Sequence, residues 1–123
     1  MKYKINTREN FDIITPLYAQ FDSKLSDQLN DLVDDSSENG RSLLIDFAQI
    51  QDMSKDNIKL LESLHHEMYN RQLSFVLCHL HTPCKRMIAE YELEHTLNMA
   101  PTLVEAVDII SMEGLERDLL GDV

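Results

Sequence analysis

Ser54 is the side chain of this 123-residue sequence best placed to carry chemistry. Asp52 precedes it, Lys55 and Asp56 follow it, and beyond them apolar residues recur at Ile58, Leu61, Leu64 and Met68, the spacing of one helix face. A serine at a helix start has two uses. Its oxygen can accept a hydrogen bond from the N–H of Asp56 or Asn57 and cap the helix. It can also carry a phosphate, because outward-pointing N–H groups and the helix dipole favour negative charge there. Asp52, Asp56 and a net charge of −11 oppose a phosphate, and Lys55 partly offsets them.

Other reactive side chains are less well arranged. His65 and His66 are helix neighbours, so their rings diverge by about 100°. His79 and His81 could share one strand face, but without a carboxylate or cysteine partner at ligand spacing they read as structural histidines, and no metal is expected. Cys78 and Cys84 read as reduced, buried thiols. A cysteine–histidine nucleophilic pair would need an oxyanion loop and an orienting acid, and neither is apparent. Only three glycines are present and no phosphate loop, so no nucleotide cofactor is expected.

The elements that must position Ser54 are legible around it. Leu43 to Phe47 is an apolar run with one acid, Asp46, entered through Asn39-Gly40: a buried strand. A polar loop follows, Gln49 to Asp56, with Ile50 as its one aliphatic anchor, and then the Ile58–Tyr69 helix. Upstream, Tyr3, Ile5 and Thr7 alternate with polar residues, Glu9-Asn10 turns the chain, and Phe11, Ile13 and Thr15 alternate again, which makes an antiparallel hairpin. Leu17 to Phe21 could extend the second strand past Pro16. Asp22 and Ser23 cap a helix with Leu25, Leu29, Leu32 and Val33 on one face and acids on the other. Downstream come a buried strand over Leu73 to Leu80, a helix capped by Thr82 with Pro83 first, and a short strand within His95 to Met99. A last helix opens at Pro101-Thr102, and Gly114 is expected to break or bend it. The result is an α/β chain: an N-terminal β-hairpin followed by βαβ units, with a mixed sheet of about four to five strands and about four helices. Residues 1–111 form one domain and 112–123 an amphipathic tail.

Net charge argues against nucleic acid and against an anionic membrane surface, since both need clustered Lys and Arg. No apolar run approaches bilayer length, and Met1-Lys2-Tyr3-Lys4-Ile5 has no signal-type apolar region, so a cytoplasmic location is expected.

An acid-bearing strand (Leu43-Leu44-Ile45-Asp46) leading into Asp52-Met53-Ser54-Lys55 at a helix start resembles the centre of the STAS family, where Asp-Ser-Ser-Gly is usual. Phe21-Asp22 resembles that family's Leu-Asp pair beside the phosphorylation site. Leu77 to Lys85, with Cys84-Lys85-Arg86, resembles its last buried strand and following helix. Pro101 to Asp108 is similar to its Thr-x-x-Glu-Ala closing helix. The tail Met112 to Arg117 resembles stand-alone members of Bacteroidetes-type bacteria.

This resemblance implies an anti-sigma factor antagonist-like domain that performs no chemistry. It would bind an anti-sigma factor or a serine kinase and be ejected by phosphorylation of Ser54. Asp22 and Asp52 would flank the serine, with Met53 and Lys55 in the docking surface. Met53 and Lys55 depart from the family motif: Lys55 puts a long charged side chain where glycine allows close approach. Two versions follow, a working phosphoswitch and a degenerate module that binds its partner constitutively. Rivals of other classes are a receiver-like domain using Asp46 and a small metal-dependent enzyme. The receiver fold begins strand then helix, whereas this chain begins with a hairpin.

Overall fold

The computed structural model describes residues 3–121. Five strands and four helices follow in the order β1 (Tyr3–Thr7), β2 (Phe11–Pro16), α1 (Ser23–Glu38), β3 (Ser42–Asp46), α2 (Lys55–Asn70), β4 (Phe75–Cys78), α3 (Thr82–Glu90), β5 (Asn98–Ala100) and α4 (Leu103–Gly121). The strands lie side by side in chain order. β1 and β2 are antiparallel, with Tyr3 opposite Pro16, and β2 through β5 are parallel. This is the expected mixed sheet, with the hairpin at one edge.

Because the parallel strands are added in one direction, right-handed crossovers place α1, α2 and α3 on the same face. Their core includes Leu25, Leu29, Leu43, Ile45, Phe47, Ile58, Leu61, Leu77 and Ile88. α4 instead folds back over the other face. There Phe11, Ile13, Leu44, Val76, Cys78, Ala106 and Ile110 form a second, smaller core.

Several boundaries differ from the sequence reading. β2 stops at Pro16 and the chain turns away, so Leu17 to Phe21 do not extend it. His81, not Thr82, is the N-cap residue of α3. β4 ends at Cys78 because His79 takes a left-handed backbone, φ 57°. The strand expected within His95 to Met99 forms at Asn98–Ala100. α4 passes through Gly114 without a break. It is apolar on both sides: Ala106 and Ile110 face the sheet, while Val104, Met112, Leu115 and Leu119 are exposed.

Two polar clusters tie distant segments together. Arg41 holds the hairpin by donating to Asp12 Oδ1 at 3.0 Å and to the carbonyls of Arg8, Glu9 and Phe11. Glu113 anchors the far half of α4. It accepts from the Tyr69 hydroxyl at 2.6 Å, from Ser74 Oγ at 2.5 Å and from Asn98 Nδ2 at 3.0 Å. Arg117 donates to Ser74 Oγ at 3.0 Å and lies over the Tyr69 ring. Ser74 is fully buried, so it cannot turn to water if Glu113 is lost. Glu113→Ala is therefore expected to cost about 1–2 kcal/mol in urea denaturation, with Glu113→Gln recovering part of it. A cost near zero would show that this network does not hold α4.

Candidate functional site

The site is built at the carboxyl end of β3. Phe47 N–H donates to the Cys78 carbonyl at 2.9 Å, and Asp46 Oδ1 accepts from Ala48 N–H at 2.9 Å, which bends the chain out of the sheet. Ile50 returns as the fully buried anchor that the sequence suggested. The loop then runs beside the segment leading into α1. Gln51 N–H donates to the Ala19 carbonyl at 2.6 Å, Phe21 N–H donates to the Asp52 carbonyl at 3.1 Å, and Gln20 pairs with Asp52 in a parallel bridge. Two stretches that are 31 residues apart, around Ala19–Phe21 and Ile50–Asp52, thus become one surface.

Ser54 is exposed and is the N-cap residue of α2. It forms a capping box with Asn57. The direct bonds run from Ser54 to Asn57: Asn57 Oδ1 accepts from Ser54 N–H at 2.8 Å and from the Ser54 hydroxyl at 2.9 Å. The Asn57 N–H donates to the Ser54 backbone carbonyl at 3.1 Å, and the amide oxygen of Asn57 holds the serine side chain. Asn57 is buried and its Nδ2 reaches Ser26 Oγ on α1 at 3.3 Å. Asn57 was not singled out in the sequence, although a polar side chain three residues after a serine cap is the spacing of such a box.

The other expected site residues divide. Asp22, Asp52 and Lys55 are exposed, Asp52 and Lys55 on the Ser54 loop and Asp22 at the start of α1. Asp22 caps α1, its Oδ1 accepting from Leu25 N–H at 3.0 Å, and Asp52 Oδ1 accepts from Met53 N–H at 2.9 Å. Met53 differs from expectation. It is 6% exposed and packs in the main core, since the chain between Asp52 and the helix start must pin itself to the sheet. With Gln20, Phe21, Asp52 and Ser54 it lines a shallow depression of 170 Å³, contributing its floor rather than a projecting side chain.

Beneath the loop, Cys84 is buried, with its Sγ 3.9 Å from the Ile50 carbonyl. Burial, with Asp52 nearby, pushes its thiol up to about 11, and burial, with Asp46 beside it, pushes Cys78 up to about 12. Both thiols are free and protonated at neutral pH. The Ser54 hydroxyl meets an amide oxygen, which is not a general base, so it is not an activated nucleophile. It is a hydroxyl displayed at a helix N-terminus, open to modification or contact.

An α/β domain with this surface at the end of its central strand has a recognised counterpart. The chain belongs to the STAS family, whose STAS domain model matches residues 3–106. Its structure is anti-sigma factor antagonist-like. It is similar to an anti-sigma factor antagonist from Mycobacterium paratuberculosis, at TM-score 0.75 and 14% identity over 89% of this chain and 92% of that one. It is similar to RsbS of Moorella thermoacetica, at TM-score 0.76 and 16% identity over 95% and 99%. It is also similar to the Bacillus cell fate determinant SpoIIAA in its phosphorylated form, at TM-score 0.66 and 14% identity over 88% and 98%. At these identities the likeness is one of fold. A comparison with curated protein sequences gives no match. Among the described residues, no helix is long and apolar enough to cross a membrane.

Proposed function

We propose that this chain is a regulatory protein–protein interaction module of the anti-anti-sigma type. It binds an anti-sigma factor or a serine kinase across the Ser54 surface and releases it when Ser54 is phosphorylated. What supports this reading is exposed Ser54 at the N-terminus of α2, two residues after exposed Asp52 on a loop paired with Ala19–Phe21. A phosphate there would add about two negative charges. It would end the hydroxyl's bond to Asn57 Oδ1 and set a dianion beside Asp52 and Asp56, so a partner seated on the surface would meet repulsion and a desolvation cost. The existence of a phosphorylated form of SpoIIAA supports the same reading. Met53 is turned inward, which leaves Lys55 as the departure from the family motif that a partner meets. The reading keeps the chain in the cytoplasm and gives it no reaction of its own.

One contact favours the second version, a module that binds constitutively. The hydroxyl proton of Ser54 is already held by Asn57 Oδ1, beside the long side chain of Lys55.

Intact-mass and phosphopeptide analysis of the protein isolated from its own organism, with Ser54→Ala as control, separates the two. A phosphate on Ser54 is expected, and Ser54→Glu is expected to weaken capture of the partner retained by Ser54→Ala by at least about tenfold. A chain that stays unmodified across growth conditions, and a Ser54→Glu variant that captures as well as Ser54→Ala, would leave the constitutive module.

A further inference from the structure

We propose that Asp46, Cys78 and His79 form a binding site for a divalent transition ion of zinc type, at the carboxyl ends of β3 and β4 on the α4 side of the sheet. The site lies across the sheet from Ser54 and is independent of it.

The register brings the first two donors together. Asp46 and Cys78 are direct partners across the β3–β4 ladder, so their side chains point to the same face, continuing the row begun by Leu44 and Val76. His79 would point to the opposite face if the strand continued. Its left-handed backbone, φ 57°, breaks that alternation. The imidazole instead stands with Nδ1 2.9 Å from Asp46 Oδ1 and 3.9 Å from Cys78 Sγ. Carboxylate, thiol and imidazole atoms all lie within 4.8 Å of one another. Ligand atoms around a tetrahedral zinc ion are about 3.3–3.8 Å apart, given bonds of about 2.0–2.3 Å. The observed separations bracket that range.

The donors also fit the ion. Sulfur and imidazole nitrogen with one carboxylate suit zinc or cobalt and not magnesium or calcium, which want oxygen alone. Cys78 is buried at the back of the site, while the Asp46 and His79 side chains are 15% and 37% exposed at its mouth. An ion can therefore enter from solvent and keep water in its fourth position. A carboxylate only accepts, so Nδ1 carries the proton of the present Asp46–His79 contact. On metal binding that proton moves to Nε2, and the Cys78 thiol gives up its proton to solvent. The plain alternative is an Asp46–His79 ion pair with the thiol brought alongside by strand register, and the metal titration below separates the two.

The test uses the full-length chain after chelator treatment. Zinc chloride is titrated calorimetrically, and cobalt chloride is followed by absorption. One zinc per chain is expected, with a thiolate-to-cobalt charge-transfer band and a rise in melting temperature on adding zinc. His79→Asn, which tolerates the left-handed backbone, is expected to lose at least about a hundredfold in zinc affinity, the upper end of what an outer-shell partner costs. Cys78→Ser is expected to lose the charge-transfer band, and Cys84→Ser to keep it. Absence of zinc binding would overturn the site. So would zinc affinity unchanged in His79→Asn, or a thiolate band that disappears with Cys84 instead.

Discussion

Phe47→Ala is expected to lower the free energy of unfolding by about 3–5 kcal/mol. The side chain is fully buried just past the end of β3, and its ring lies 6.2 Å from that of Phe21 at an interplanar angle of 51°. Phe21 belongs to the segment that pairs with the Ser54 loop, so Phe47 sits under the junction of two stretches rather than inside one element. Truncation removes apolar contact and leaves a cavity that Phe21, Ile50 and Met53 cannot fill without dragging the paired loop inward. Total stability for such a domain is about 5–15 kcal/mol, so the variant would be near its limit at physiological temperature. Guanidinium denaturation followed by circular dichroism measures the loss, with Phe47→Leu expected to keep most of the stability. A loss below about 1 kcal/mol would mean that the junction collapses freely and is not a rigid platform.

The second large effect is on the alkaline side. Burial and the Glu113 carboxylate push the Tyr69 hydroxyl from 10.0 up to about 12, and burial pushes Cys84 from 9.0 up to about 11. Both groups are neutral when protonated, and the folded chain holds them in that form. Well below pH 9.0 they are protonated in folded and unfolded chains alike, and their full contribution to stability is present. As pH rises, the unfolded chain ionises first and the folded chain cannot follow, so stability falls, through Cys84 between 9.0 and about 11 and through Tyr69 between 10.0 and about 12. Cys78 adds to the same loss in metal-free protein. With solvent screening allowed for, the sum is on the order of 3–4 kcal/mol across this range. Melting temperature against pH, with chelator present, is the measurement. Cys84→Ala and Tyr69→Phe are each expected to flatten the curve in their own window, and curves that superimpose on wild type would refute the assignment.

The fold was legible because its signals are local. Alternation marked the hairpin, a continuous apolar run marked β3, and the repeat from Ile58 to Met68 marked α2. Ser54 could be placed at a helix start for the same reason. What escaped notice depends on contacts between residues far apart in sequence. Met53 was placed in the docking surface by resemblance alone, and its burial goes with the pairing of the loop to Ala19–Phe21, a contact between distant segments. His79 looked isolated because Asp46 is 33 residues away and meets it through strand register and one left-handed residue. Gly114 was expected to break or bend α4; the helix runs through it unbroken, with Glu113 and Arg117 fastened to Tyr69, Ser74 and Asn98 on three other segments. A helix held by such contacts tolerates one glycine, whose intrinsic penalty is about 1 kcal/mol.

The strand order has a consequence for synthesis. Since each strand pairs with the one made just before it, the sheet can be laid down in the order in which the ribosome delivers it, and no strand must wait for a distant partner. The main core can close over α1, α2 and α3 along the way. The opposite face cannot, because among the described residues its cover is α4, which follows every strand. For the time between β2 and α4, Phe11, Ile13, Leu44 and Val76 form a bare apolar sheet surface on the nascent chain. That interval is when this protein is most in need of a chaperone, and a stall before α4 is the event that would turn it toward aggregation.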